Sequence, residues 1–194
     1  MFGYFREGHS RKTTPAILNE KTGTITPFPY EDYIRHLSKN QQQLIKRNLK
    51  IINFIHQDSN KNLWFGSYSS LLFFNTATQK AKRIILDTSQ EENLNIVNAR
   101  ICEEDQNGKL WVSTFNSGIL YIDIHTLEAQ YLKHNPNDPN SIGGNTPGVI
   151  NTDPMKNIWI HTGRNEFSIY NPYLQKFELE PWINMDLKFT NNSA

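Results

Sequence analysis

The side chains of this 194-residue chain that could do chemistry are six histidines, one cysteine and scattered carboxylates. His9, His36, His56, His125, His134 and His161 show no H-E-x-x-H or other paired spacing that would hold a metal. Glu103 and Glu104 are adjacent, and neighbours on a strand point to opposite faces, whereas glycoside hydrolysis needs two facing carboxyls. Cys102 stands alone, which excludes an intramolecular disulfide, and it reads as a small buried hydrophobe. No reaction chemistry emerges, and no metal or cofactor is implied. Binding chemistry is better supplied. Three loops, Tyr68-Ser69-Ser70, Phe115-Asn116-Ser117 and Arg164-Asn165-Glu166, combine the groups that recognise sugars. An aromatic ring covers an apolar sugar face, while amide and guanidinium groups fix hydroxyls. Tyr68, Phe115, Asn116, Arg164 and Asn165 are therefore candidate ligand contacts, against the plainer reading of ordinary polar hairpin loops. His161 replaces a smaller residue found in two matching segments and shares a strand face with Trp159. It either lines a site or packs as a hydrogen-bonded histidine.

The elements that position these loops repeat. DSNKNLWFGS (58–67), DQNGKLWVST (105–114) and DPMKNIWIHT (153–162) superimpose, each with an Asp six residues before a Trp. Asp58/Trp64, Asp105/Trp111 and Asp153/Trp159 set a period of 111 − 64 = 47 and 159 − 111 = 48 residues. An apolar run closed by Asn or Asp follows each: LLFFN (71–75), ILYID (119–123) and FSIYN (167–171). Further strand-like stretches lie before the Asp and after the closing residue. Four short strands per unit at such a period are the arithmetic of a β-propeller blade. The fold class is all-β, a propeller fragment of four-stranded antiparallel blades, three complete with partial blades at both ends.

The Asp is expected to accept turn amides. The third residue after it needs a left-handed conformation, which Gly108 suits and which Lys61 and Lys156 adopt at about 1 kcal/mol cost. A calcium loop would need several oxygen ligands, and Pro154 and Met155 break that pattern. Each Trp is expected to wedge between neighbouring blades. The chain accordingly divides into a partial preceding blade (1–30), a helical or loop insertion (31–48), blades at 49–90, 91–140 and 141–181, and the start of a further blade or tail (182–194). Within the insertion, Asp32 is a possible helix cap; the segment reads as a lid or partner-contacting excursion, or as a solvated connector with anchoring apolar residues. KHNPNDPNSIGGNTPG (133–148) must be a loop.

Composition narrows the class further. A formal charge of +1 argues against a nucleic-acid-tracking surface. Aromatic residues at 12% argue for a folded chain. No apolar run approaches the ~20 residues of a membrane span, and MFGYFREGHSRK lacks a signal-peptide pattern.

EEDQNGKLWVSTFNSGILYIDIHTLEAQYL (103–132) resembles the two-component regulator propeller repeat, an apolar strand followed by E-D-x-x-G-x-L-W-I-G-T, then G-L-x-x-Y-D. HNPNDPNSI (134–142) is similar to the asparagine-rich linker between such repeats in Bacteroidetes sensors. The resemblance covers 49–180 well and 1–28 loosely. Lys61 and Lys156 replace its turn glycine, and Ser113 and His161 replace the glycine after Trp. It implies a non-catalytic, periplasmic sensor region of a hybrid histidine kinase that detects oligosaccharides and relays to kinase modules elsewhere in the parent chain. Its partners would be the remaining blades and signalling modules, with self-association through open blade edges and no membrane contact by this segment. The alternatives are a protein-interaction scaffold, or a sialidase- or lyase-like enzyme. The enzyme needs converging arginines, and Arg35, Arg100 and Arg164 occupy no equivalent positions.

Overall fold

A computed structural model describes residues 2–6, 13–84, 98–162 and 166–181. Arg164, Asn165 and the expected further unit at 182–194 lie outside them. Three four-stranded antiparallel sheets carry the three repeats. The first is β4 (Ile52–Gln57), β5 (Leu63–Ser67), β6 (Leu71–Asn75) and β7 (Lys80–Ile84). The second is β8 (Cys102–Glu104), β9 (Lys109–Ser113), β10 (Ile119–Asp123) and β11 (Ala129–Leu132). The third is β12 (Ile150–Thr152), β13 (Ile158–His161), β14 (Glu166–Asn171) and β15 (Lys176–Pro181). A three-stranded sheet, β1 (Phe2–Arg6), β2 (Thr13–Leu18) and β3 (Ile25–Pro27), precedes them. In every sheet the strands lie in sequence order, so each is a simple meander. This is the propeller fragment expected from the period.

Strand alternation decides what each sheet buries. On the first full sheet Trp64, Leu71, Phe73 and Ile84 share one face and meet Leu110, Val112, Leu120 and Ile122 of the second. On the second, Trp111 and Ile119 look the other way and meet Ile150, Ile158, Ile160 and Phe177 of the third. Trp64 and Trp111 are 0% exposed at these junctions. Trp159 stands on the far face of the third sheet beside Phe167 and remains partly exposed. The first strands of the second and third sheets meet, β12 against β8, and β4 lies against β1 of the three-stranded sheet.

Flat sheets that converge at an axis splay outward and leave a wedge to fill. Between the three-stranded sheet and the first full one, α1 (Tyr30–Ile34) and α2 (Lys39–Asn48) fill it. Phe28, Ile34, Ile45 and Leu49 pack on Phe65, Leu72 and Phe74 there. The insertion is thus anchored in the core by these apolar residues, while most of its polar side chains stay exposed. Its long helix is capped by Ser38, whose hydroxyl accepts the Gln41 N–H while the Gln41 side chain accepts the Ser38 N–H. Asp32, read above as a possible cap, sits instead in the first turn of α1 and pairs with Arg35. Between the last two sheets residues 133–149 do the filling without helix or strand. Ile142 enters the core, and the Phe177 N–H donates to the Asn140 carbonyl at 3.3 Å.

Candidate ligand-binding face

Each hairpin turn is built by an acid that serves both backbone and indole. Asp58, Asp105 and Asp153 each accept the Trp Nε1–H at 2.9 Å through one oxygen. The other oxygen accepts the turn amides of Asn62, Lys109 and Asn157 at 2.8, 3.0 and 2.9 Å. Lys61, Gly108 and Lys156 adopt φ of 68°, 70° and 70°, the left-handed place expected of them. The indole bond is the reason for the six-residue Asp–Trp spacing, and sequence reasoning saw the spacing without its cause. Carboxylate oxygens consumed this way are not arranged as a cation site. Among the described residues no cluster of three or more His, Cys, Asp or Glu could hold a metal.

A second acid-or-amide turn repeats four times. The side-chain oxygens of Asn19, Asn75, Asp123 and Asn171 accept amides two or three residues ahead, at Lys21, Thr78, His125 and Tyr173. Each is followed four residues on by a left-handed residue: Gly23, Gln79, Leu127 and Gln175. Lys109 reinforces Asp123, and its ammonium with two turn amides holds that carboxyl at about 2, below its ordinary value.

Because the sheets are meanders, these two turns crowd one end of every blade. The loops after the Trp strands and the inter-sheet connections crowd the other. At the turn end, Glu104 reaches back to the Ser59 N–H at 2.9 Å and lies 3.3 Å from His56, while Glu103 accepts the Thr152 hydroxyl at 3.2 Å. The two glutamates therefore face opposite neighbours and tie three blades together, as strand alternation requires. Burial and these carboxylates push the Cys102 thiol well above its ordinary range, so it is protonated and inert at neutral pH.

The opposite end carries the candidate contacts. Tyr68 and Phe115 occupy the same place in adjacent blades and remain 57% and 49% exposed. Arg100 stands over the Phe115 ring at 5.8 Å, and Asn116 is exposed beside it. Backbone bonds fix this end: the Asn98 N–H donates to the Tyr68 carbonyl at 3.0 Å, and the Gly118 N–H to the Asn145 carbonyl at 2.9 Å. Ser69 donates to Asn48 at the end of α2, which brings the insertion to the same surface. Beneath it, Asn48 Nδ2, Ser113 Oγ and Thr162 Oγ1 are buried polar atoms without a partner among the described residues. His161 is half-buried, its ring 5.7 Å from that of Phe167 on the far face of the third blade. It is the last residue of β13 and shares with Trp159 the face turned away from the second sheet.

No protein-family model and no curated protein matches the sequence. Solved structures do match. The extracellular domain of the hybrid two component system BT3049 from B. thetaiotaomicron has a TM-score of 0.58 at 19% identity, over 72% of this chain and 20% of that one. The extracellular domain of the hybrid two component system BT4673 from the same organism has a TM-score of 0.57 at 21% identity, over 93% of this chain and 23% of that one. Virginiamycin B lyase from Staphylococcus aureus has a TM-score of 0.54 at 14% identity, over 93% of this chain and 54% of that one. The chain thus spans about a fifth of the length of those extracellular domains. Likeness at these identities is a likeness of fold, and the fold is that of stacked propeller blades, as the resemblance to the two-component regulator propeller repeat implies.

Proposed function

We propose that the chain is a non-catalytic, ligand-sensing propeller segment of a two-component sensor, exposed to the periplasm as part of a larger parent protein. The observation that carries this reading is the conjunction of blade fold with the loop end. Adjacent blades present Tyr68 and Phe115 on one surface, with Arg100 and Asn116 alongside. Structural likeness to extracellular domains of hybrid two component systems supports the sensor role. No helix among the described residues is long and apolar enough to cross a membrane. An oligosaccharide suits the surface, because exposed rings cover C–H faces while amide and guanidinium groups take hydroxyls. Relay to a histidine kinase would pass through blades and modules of the parent chain. Calorimetry of the parent ectodomain against a panel of oligosaccharides tests the reading. Binding to one of them, weakened at least tenfold by Tyr68→Ala or Phe115→Ala, supports it. Binding that neither substitution affects would place the ligand elsewhere and sink this assignment of the face.

A further inference from the structure

The outer edges of the first and third full sheets differ in one respect. Asn75–Lys80, Asp123–Glu128 and Asn171–Lys176 are equivalent turn pairs, and the Asp123 N–H donates to the Glu128 carbonyl. In an antiparallel ladder the next residue of the edge strand then points its N–H outward. In the third sheet that residue is Phe177, and its N–H is taken by the Asn140 carbonyl of the chain's own linker. In the first sheet it is Ala81, with Arg83 two residues on. Among the described residues neither amide has a backbone partner outside the sheet.

That edge borders a groove of about 1060 Å³ between β7 and α2. Its walls are Leu37, Leu44, Ile45 and Ala81, and Arg83 lies within it. None of the described residues lining it is acidic. Arg83 projects from the face of β7 that looks toward α2, is half-buried, and its Nε is buried without a partner among the described residues. A guanidinium drawn out of water without a counter-charge is costly and suits a planar carboxylate. Burial lowers its proton affinity, in keeping with that isolation. Lys80 and Lys82 add cations along the same edge.

We propose that this groove docks an extended acidic segment of a partner protein, which adds a fifth strand to the β7 edge and sets a carboxylate against Arg83. Strand addition supplies main-chain bonds to the outward amides, and side-chain pockets supply selectivity. Charge complementarity chooses the occupant, and the Asn140 linker shows the same edge position being capped within this fold.

Titration of the full chain with a blocked heptapeptide, Ser-Val-Glu-Val-Glu-Val-Ser, tests this. Saturable binding is expected, weakened at least tenfold by Arg83→Gln and abolished by proline at the central position of the peptide. Hydrogen exchange should slow at the Ala81 and Arg83 amides and stay unchanged at Phe177. Circular dichroism of Arg83→Gln should match the parent chain, since Arg83 Nε has no partner among the described residues to lose. No saturable binding overturns the proposal, as does equal binding of the lysine counterpart or the proline peptide. Glucuronate that binds in the groove where the peptide does not would assign it to a small acid. Dimerisation abolished by Arg83→Gln would assign it to a second copy of this chain.

Discussion

Replacing Asp105 by alanine tests the joint that each blade reuses. The Asp105 carboxylate is buried and accepts three N–H groups: Asn107 at 2.8 Å, Lys109 at 3.0 Å and the Trp111 indole at 2.9 Å. A hydrogen bond to a charged acceptor contributes about 1.5–3 kcal/mol, and a buried donor left without a partner costs about 1–3 kcal/mol. These contributions overlap, because the turn amides regain water once the turn loosens. Trp111 at 0% exposure does not. The expected loss is about 3–4 kcal/mol for Asp105→Ala. Asp105→Asn keeps one acceptor for the turn but turns an amide toward the indole, for a loss of about 1–2 kcal/mol. Urea denaturation followed by circular dichroism measures both. A double-mutant cycle with Trp111→Phe should give a coupling of about 1–2 kcal/mol, since the two groups act through one bond. In the third blade Asp153 and Trp159 are less buried, and Asp153→Ala should cost about half as much. A loss below about 0.5 kcal/mol for Asp105→Ala, or zero coupling, would refute the reasoning.

Other outcomes follow from single contacts. A Cβ on Gly66 would collide with the Phe54 ring, so Gly66→Ala should destabilise by about 1–3 kcal/mol and Phe54→Ala should recover part of that in denaturant melts. Lys61→Gly and Lys156→Gly relieve left-handed residues, so each should stabilise by up to about 1 kcal/mol, while Gly108→Ala should destabilise as its Cβ meets His125 at 2.9 Å. Asp123 titrates at about 2 in the fold against an ordinary 3.8, so its stabilisation is full above the higher value and disappears as pH falls through the lower. Asp123→Asn should flatten that acid limb in pH-dependent melts; an unchanged slope would remove Lys109 and the turn amides as its cause.

The repeat was legible because structure imposes it on side-chain type. An Asp that must reach both a turn amide and an indole has one workable spacing, and the closing Asn or Asp caps a turn of its own. The partial first blade was legible from the match of MFGYF (1–5) to LWFGSY (63–68) and of Asn19 to Asn75, and Asn19 caps the Gly23 turn in the manner of Asn75. The role of the insertion was harder to read. Ile34, Ile45 and Leu49 are apolar at helical spacing, yet nothing local says that the helices fill a wedge between sheets. An acid in a first turn, as Asp32 is, and a cap look alike in sequence, whereas the S-x-x-Q spacing of Ser38 and Gln41 is the capping box itself. On the candidate face, Tyr68 and Phe115 could be placed by counting four residues from each Trp. Arg100 and Asn48 could not, because they reach that end from the connections rather than from the repeat; Ser113 and Thr162 belong to the repeat, but their burial depends on how the blades pack. The Arg83 groove left no mark in the sequence, since it depends on α2 lying beside β7.

The stacking of blades with an indole at each junction is tested most directly by nuclear Overhauser contacts of the tryptophan rings. The Trp64 ring should contact methyls of Leu110, Val112, Leu120 and Ile122, and the Trp111 ring those of Ile142, Ile150, Ile158 and Ile160. Rings that see only their own hairpins would contradict the stacked arrangement, and with it the shared surface that carries Tyr68 and Phe115.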